Sequence, residues 1–227
     1  MAYRRTERVV QRLAARHDAI VTAAQIIAAE SGMAAVQIVP VAARAGIAAG
    51  TVYRYFPAKS DLVAALMTAV SDREVAAIRR AADAAPGPLS ALAAALTTFA
   101  ARVHASRRLA WAVFAEPVEG DVEVVRLSCR RALAAELERR IRAATERGLL
   151  PELEAGPAAV ALIGALIDGL IGPLAPDTAA DAGKARAVVQ TLTLMSLRAL
   201  GVVDARARGL VVQTAMPGRD DDMAKAG

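Results

Sequence analysis

The chain has 227 residues, of which 56% are apolar and only 3% aromatic. Alanine, valine and leucine therefore supply most of the apolar surface to be buried, which favours helices over sheets. We predict an all-α fold with about nine helices and no sheet. The single cysteine, Cys129, excludes an intrachain disulfide, so the expected location is the reducing cytoplasm.

The excess positive charge lies at the N-terminal end. Residues 1–60 hold eight arginine or lysine residues and three acidic residues, whereas residues 61–227 hold 20 of each. This asymmetry is typical of a small nucleic-acid-binding module joined to a second domain. We predict a DNA-binding domain over 1–60, a helical regulatory and dimerisation domain over 61–210, and a disordered tail over 211–227.

One apolar segment raises the question of a membrane. Residues 158–174 are only 17 long and are interrupted by Asp168 and Pro173, which puts the segment at the short limit for a span. We interpret it as a helix buried within a protein assembly and expect no membrane partner. The arginine-rich start resembles an organelle transit peptide, but it is nearly free of serine, which argues against that interpretation.

The stretch over residues 37–62 predicts two short helices joined by a tight turn, preceded by a first helix that we also expect to be short. Pro40 suits the first turn of a helix because its missing N–H would have no partner there. Gly46 falls where the chain must reverse, and a left-handed backbone is easiest without a Cβ. The next helix is expected over residues 49–56.

The helix expected over residues 49–56 has two different sides. Val52 and Phe56 are four residues apart and form its predicted buried face. Tyr53 and Tyr55 cannot both share that face, so at least one hydroxyl should be exposed. The other side carries small groups first and hydrogen-bonding groups next, which suits entry into a DNA major groove. The predicted DNA-binding residues are Ala49, Gly50, Thr51, Tyr53, Arg54, Tyr55 and, just beyond the helix, Lys59.

This stretch resembles the helix-turn-helix of the TetR family of transcriptional repressors. The resemblance implies that Thr51, Tyr53 and Lys59 contact the DNA backbone, and that Ala49, Gly50 and Tyr55 lie against bases. For Arg54 a phosphate and a guanine contact both stay open. The residues that carry the resemblance are Ala42, Ala45, Gly46, Ile47, Gly50, Thr51, Val52, Tyr53, Phe56 and Lys59, with the stretch from Ala23 to Gly32 resembling the family's first helix.

The sequence departs from the family pattern at two helix caps. The family usually has serine or threonine near Gln37 and often a polar residue at Ala48. Both caps should therefore be weaker, by roughly 0.5–2 kcal/mol each. Pro40 compensates in part for the first.

In the second domain the candidate ligand-binding residues are few. The bulkiest side chains of the middle helices, together with two polar neighbours, could line an apolar pocket with a polar end. Packing in the core is the alternative role for them. These residues are Phe99, His104, Arg107, Trp111 and Phe114.

No metal site, cofactor or enzymatic activity is expected. Neither His17 nor His104 has a cysteine, histidine or acidic residue at the spacing that metal ligands require. We find no nucleophile paired with a base and no glycine-rich phosphate loop.

The helices predicted over 157–174 and 184–200 are apolar almost all round, which a surface helix cannot be. The resemblance suggests that two copies of this pair form a four-helix dimer interface, and burial within one chain is the alternative. Two recognition helices spaced about one DNA turn, roughly 34–36 Å, can read a palindrome.

Arginines recur every four residues near the start of the chain, at Arg4, Arg8, Arg12 and Arg16. They share one face if the first helix extends back that far. A solvated face and an arm that grips phosphates are equally good interpretations of this stripe.

The sequence thus predicts a homodimeric repressor that leaves a palindromic operator when a small apolar ligand binds. The alternative is a helical carrier of apolar molecules, which predicts no sequence preference on DNA.

Overall fold

The computed structural model describes residues 2–118, 120–178 and 181–214, with side chains from residue 8 onward. Over these ranges it contains ten α-helices, a short 3₁₀ helix (Met33–Ala35) and no strand. The all-α prediction is confirmed, with ten helices where about nine were expected. The helices are α1 (Ala2–Ser31), α2 (Ile38–Arg44), α3 (Ala49–Tyr55), α4 (Lys59–Asp83), α5 (Pro88–Ala105), α6 (Arg107–Phe114), α7 (Gly120–Glu146), α8 (Ala155–Ile171), α9 (Ala182–Ala199) and α10 (Asp204–Gln213).

The first helix is much longer than predicted. It spans 30 residues and ends before Gly32, whose φ of 84° turns the chain out of the helix. No glycine or proline interrupts residues 2–31, and alanine and arginine are strong helix formers. The expectation of a short first helix was therefore wrong.

The helix-turn-helix rests on the second half of α1. Ile20 and Ala24 are fully buried and pack in one core with Val41 of α2 and Val52 of α3. Helix α1 also contacts α4 and α6. The N-terminal helices are therefore packed directly against the remainder of the chain.

Helices α4 to α10 form a second bundle, with α5 at its centre. Helix α5 begins at Pro88, and most of its side chains are buried, among them Leu92, Leu96 and Phe99. Helices α4, α6, α7, α8, α9 and α10 all contact it. Its apolar surface therefore holds the surrounding helices together.

Two of the last three helices, α8 and α9, fall close to their predicted places. Helices α8 and α9 correspond to the predicted segments 157–174 and 184–200. Helix α10 runs to Gln213, so residues 211–213 are helical and not the start of a tail. Residues 215–227 of the predicted tail lie outside the described residues. Within the described ranges, no helix is both long and apolar enough to cross a membrane.

Candidate nucleic-acid interface

The turn between α2 and α3 has the predicted geometry. Gly46 adopts a φ of 66°, in the left-handed region where a Cβ is costly. The N–H of Ile47 donates a hydrogen bond to the carbonyl oxygen of Ala42 at 3.0 Å. Ile47 packs against the core. The turn is thereby fixed by one glycine and one apolar side chain.

Helix α3 is anchored by one face and leaves the other free. Val52 is 0% exposed and Phe56 4% exposed, as predicted. Tyr53 is 52% exposed, whereas Tyr55 is half-buried, so at least one phenol reaches solvent. A rigid helix with a projecting polar side is what major-groove reading requires.

The predicted DNA-binding residues differ in their exposure to solvent. Gly50, Arg54 and Lys59 are exposed together with Tyr53, while the other predicted residues are half-buried. Within the described ranges, neither Arg54 nor Lys59 is ion-paired with a carboxylate. Both charges therefore face solvent and are available to an anion. The half-buried members are Ala49, Thr51 and Tyr55.

The helix caps are weak where the sequence departs from the family pattern. Gln37 precedes α2, but its amide nitrogen donates to the carbonyl oxygen of Ala34 at 3.0 Å and does not cap the helix. Ala48 precedes α3 without any side-chain cap. Helices α2 and α3 therefore both begin without a side-chain cap, as the sequence predicted.

Two polar contacts in this domain were missed by the sequence reasoning. The Asp61 carboxylate accepts a hydrogen bond from the Ala58 N–H at 2.9 Å and so fixes the start of α4, where Lys59 stands. The position of Asp61 three residues after Ala58, the N-cap residue of α4, was a usable signal. Arg44 forms an ion pair with Glu30 of α1. Its charge is partly neutralised there, which lowers its value for binding phosphates.

A carboxylate from the second bundle reaches into the N-terminal domain. Glu116 lies after α6, and its Oε2 accepts a hydrogen bond from the backbone N–H of Met33 at 3.0 Å. Met33 begins the 3₁₀ helix between α1 and α2. Because the partners are 83 positions apart in the sequence, no local pattern could have predicted this link.

The predicted ligand-binding residues do not gather around one cavity. Phe99 and Phe114 are buried and meet edge to face, with ring centroids 6.5 Å apart. Phe99 therefore takes the core-packing role that was the alternative in the sequence analysis, whereas Phe114 packs against it and also lines a cleft. Trp111 is half-buried and packs against the same core.

The two polar members of that set hold the connection between α8 and α9. The His104 Nε2 atom lies 2.7 Å from the Thr178 hydroxyl, and the Arg107 guanidinium donates to the Pro176 carbonyl oxygen at 2.8 Å. Burial lowers the pKa of His104, and the nearby charge of Arg107 adds to this effect. This arrangement favours a neutral imidazole.

A cleft of about 380 Å³ lies between α1, α4, α5 and α6. Its apolar walls include Ile26, Leu109 and Phe114. At its polar end Arg102 makes a two-pronged ion pair with Glu74, at 2.7 and 2.9 Å, and both side chains are nearly buried. The cleft is thus lined by the N-terminal domain and the second bundle together.

Comparison with known proteins gives a consistent picture. Residues 20–66 match the family model described as bacterial regulatory proteins, tetR family. The regulator RolR, solved with resorcinol, is 22% identical, with 92% of this chain and 98% of that chain covered at a TM-score of 0.66. The fatty acid degradation regulator FadR from Bacillus halodurans is 22% identical over 83% and 97% of the two chains, with a TM-score of 0.69. No curated protein sequence matches the chain.

A third solved structure, the TetR family regulator PfmR from Thermus thermophilus, is 19% identical over 79% and 97% of the two chains, with a TM-score of 0.60. The fold and the helix-turn-helix together define a DNA-binding transcriptional regulator. The match of residues 20–66 to the tetR family model confirms the resemblance found in the sequence.

Proposed function

We propose that the chain is a sequence-specific repressor that binds a palindromic operator as a homodimer and is released by a small apolar ligand. The observation that carries the proposal is the exposed polar side of α3, with Tyr53, Arg54 and the neighbouring Lys59, on a helix anchored by buried Val52 and Phe56. The anchoring fixes the side chains before DNA arrives, so little ordering entropy is lost on binding.

The test is selection of a randomised duplex library by the purified protein at fixed, near-physiological salt. A repressor of this kind enriches one palindromic site, because base contacts add to the phosphate contacts. Retention of DNA without enrichment would contradict the proposal and favour the carrier alternative.

The dimer interface is proposed on the outer sides of α8 and α9. The side of α8 that packs against the other helices of the same chain is buried. Val160, Ala161 and Ala165 are exposed on the opposite side. In α9 Met195 is 42% exposed. Exposed apolar side chains on two neighbouring helices favour packing against a second copy.

A charge placed on that side tests the interface. Val160→Arg should give monomers in sedimentation equilibrium, because an arginine would be buried without a partner. The matched control is Val212→Arg on α10, where the valine is also exposed. Monomers from both variants, or from neither, would contradict this interface.

For the effector site, support comes from the cleft between α1, α4, α5 and α6. A molecule lying there would touch Ile26 of α1 and Leu109 of α6 at once, and so could bind two arrangements of these helices with different affinity. Related folds have been solved with resorcinol (RolR) and with stearoyl-CoA (FadR from Bacillus subtilis). The proposed ligand here is apolar with one polar end that faces the Glu74–Arg102 pair.

The effector site is tested with a compound library screened for release of the selected operator. An active compound should lose its effect in Leu109→Trp, which fills the cleft, and keep it in Leu127→Trp, at an exposed leucine on α7. Release that is unchanged by Leu109→Trp would place the effector elsewhere.

A further inference from the structure

The first part of α1 projects from the folded domain. Residues 8–16, which we call the N-terminal arm, are all exposed, and the buried face of the helix begins only at Ile20. Nine helical residues span roughly 13 Å. The arm is thus a straight extension that contributes nothing to the core.

Its arginines form a stripe with a defined direction. Arg8, Arg12 and Arg16 follow at intervals of four, and the same interval leads to Ile20 and then Ala24, both fully buried. At about 3.6 residues per turn, each step of four residues turns roughly 40° beyond a full turn, so Arg16 lies roughly 40° from Ile20 and Arg8 roughly 120° from it. The stripe therefore winds away from the buried side of the helix as it leaves the domain. No ion pair joins the three arginines to a carboxylate in the part of the chain that the structure describes. The fourth arginine predicted for this stripe, Arg4, lies in the helix, but its side chain is outside the described side chains.

The base of the arm lies against the recognition helix. The ring of His17 is 5.1 Å from that of Phe56 and 6.5 Å from that of Tyr55, measured between centroids. Phe56 and Tyr55 stand at the C-terminal end of α3. The arm therefore leaves the domain next to the surface proposed to enter the major groove.

We propose that the N-terminal arm binds the DNA sugar-phosphate backbone beside the bases that α3 reads, with Arg8, Arg12 and Arg16 each neutralising a phosphate. The proposal rests on the proposed DNA-binding function. Charges of one sign in a row repel one another and are stabilised by a polyanion. The contact adds affinity for any sequence and leaves the choice of operator to α3.

Salt dependence is the test. The variant R8Q/R12Q/R16Q is compared with the full-length wild-type chain and with R131Q/R147Q/R206Q, which removes three exposed arginines from the second bundle. Each phosphate contact contributes about 0.9 to the slope of log K against log salt, so the arm variant should lose about 2.7 per protomer. The fall in affinity between about 50 and 200 mM salt should shrink roughly 40-fold per protomer. The control variant should keep the wild-type slope.

Hydroxyl-radical footprinting gives an independent readout. The arm variant should lose protection of backbone positions beside the operator bases while the operator sequence selected from a random library stays the same. A slope and footprint equal to those of the control variant would overturn the proposal. Circular dichroism of the arm variant should match the wild type, because the three side chains are exposed.

The exposed Val9, Val10 and Leu13 allow a second outcome. If the arm variant instead loses binding to vesicles of phosphatidylcholine and phosphatidylglycerol, with its DNA slope unchanged, the partner is a membrane surface and the proposal is overturned. Failure of the wild-type chain to select any operator would contradict the proposed function alone, because the arm contact is still measured on random duplex.

Discussion

The Oε2 atom of Glu116 accepts a hydrogen bond from the backbone N–H of Met33 at 3.0 Å. Met33 is the first residue of the 3₁₀ helix between α1 and α2, so this N–H has no partner within its own helix. Glu116 therefore connects the end of α6 with the DNA-binding domain. A shift of α6 would therefore change the geometry of this hydrogen bond.

Replacing Glu116 separates the hydrogen bond from the charge. Glu116→Ala removes the acceptor and should lower the free energy of unfolding by about 1–3 kcal/mol, whereas Glu116→Gln keeps an oxygen acceptor and should lose less. Urea unfolding gives the free energies, and amide hydrogen exchange reports on the Met33 N–H. Unchanged exchange of that amide in Glu116→Ala would show that the bond contributes nothing.

Lys59 should act on DNA through its charge. It is exposed at the first turn of α4, so Lys59→Ala should leave the fold unchanged. If Lys59 contacts a phosphate, the variant binds all DNA sequences more weakly, and the slope against salt falls by about one per protomer. Titrations of operator and of scrambled duplex over a range of salt measure this. A loss restricted to the operator would instead indicate a base contact.

Two glycines of the helix-turn-helix should respond to alanine with opposite signs. Gly46 has a φ of 66°, and a Cβ added there would meet no other atom within 4 Å, so Gly46→Ala should cost only backbone strain, about 1–2 kcal/mol. Gly50 lies within α3 without a positive φ and also has open space, so Gly50→Ala should stabilise by up to about 1 kcal/mol. Thermal unfolding measures both.

For Gly50→Ala, the effect on DNA binding should be opposite to the effect on stability. A methyl group at position 50 enters the surface proposed to face bases, so Gly50→Ala should weaken operator binding even though its fold is more stable. Operator binding that is unchanged in Gly50→Ala would contradict the proposed position of Gly50 against DNA.

Glu136 is the buried centre of an arginine cluster. It is 3% exposed, and its carboxylate accepts hydrogen bonds from Arg79, Arg139 and Arg140. Burial alone would raise the pKa of Glu136, but the hydrogen bonds and charges of Arg139 and Arg140 outweigh it and hold the pKa below its ordinary value of 4.5. The contribution of ionised Glu136 to the stability of the fold is therefore present above pH 4.5. It is lost as the pH falls through the lower pKa that Glu136 has in the folded state.

Glu136→Gln should lower the free energy of unfolding by about 3 kcal/mol at neutral pH, because Arg140 loses a charged partner in a largely buried setting. The matched control is Glu138→Gln, two residues along the same helix, where the ion pair with Arg142 is more exposed and the loss should stay below about 1 kcal/mol. Equal decreases in the free energy of unfolding of the two variants would mean that burial does not increase the contribution of Glu136 to stability.

His104 should make the fold sensitive to mild acid. Burial and the Arg107 charge lower the pKa of His104 below its ordinary value of 6.5. The unfolded chain therefore binds the proton more readily, and stability falls as the pH drops below 6.5 towards the folded-state pKa. His104→Gln removes this titration, so its urea midpoint should fall less than the wild-type midpoint between about pH 8 and pH 5.5. Parallel pH curves for the two proteins would contradict the assignment.

The helix-turn-helix could be predicted in detail because its determinants are local. Gly46 stands between two short apolar patterns, and Val52 and Phe56 are one helical turn apart. Backbone sterics and helical periodicity act over a few residues, so they can be followed along the sequence. The buried and exposed sides of α3 follow from these rules alone.

The residues that line the cleft, apart from Phe114, could not be predicted in this way. Phe99 has the size and apolarity of a pocket residue, yet it packs in the core against Phe114, and the other residues that line the cleft come from four helices. Side chains distant in sequence meet only when helices pack, and several packings suit the same amphipathic pattern.

By itself the sequence determined the helical class, the turn at Gly46 and the two sides of α3, because each depends on contacts within a few residues. Only the tertiary structure decided that Glu116 meets Met33, that Glu74 meets Arg102, and that the arginine stripe of α1 begins beside the recognition helix. These contacts join residues up to 83 positions apart, and only the folding of the chain brings such residues together.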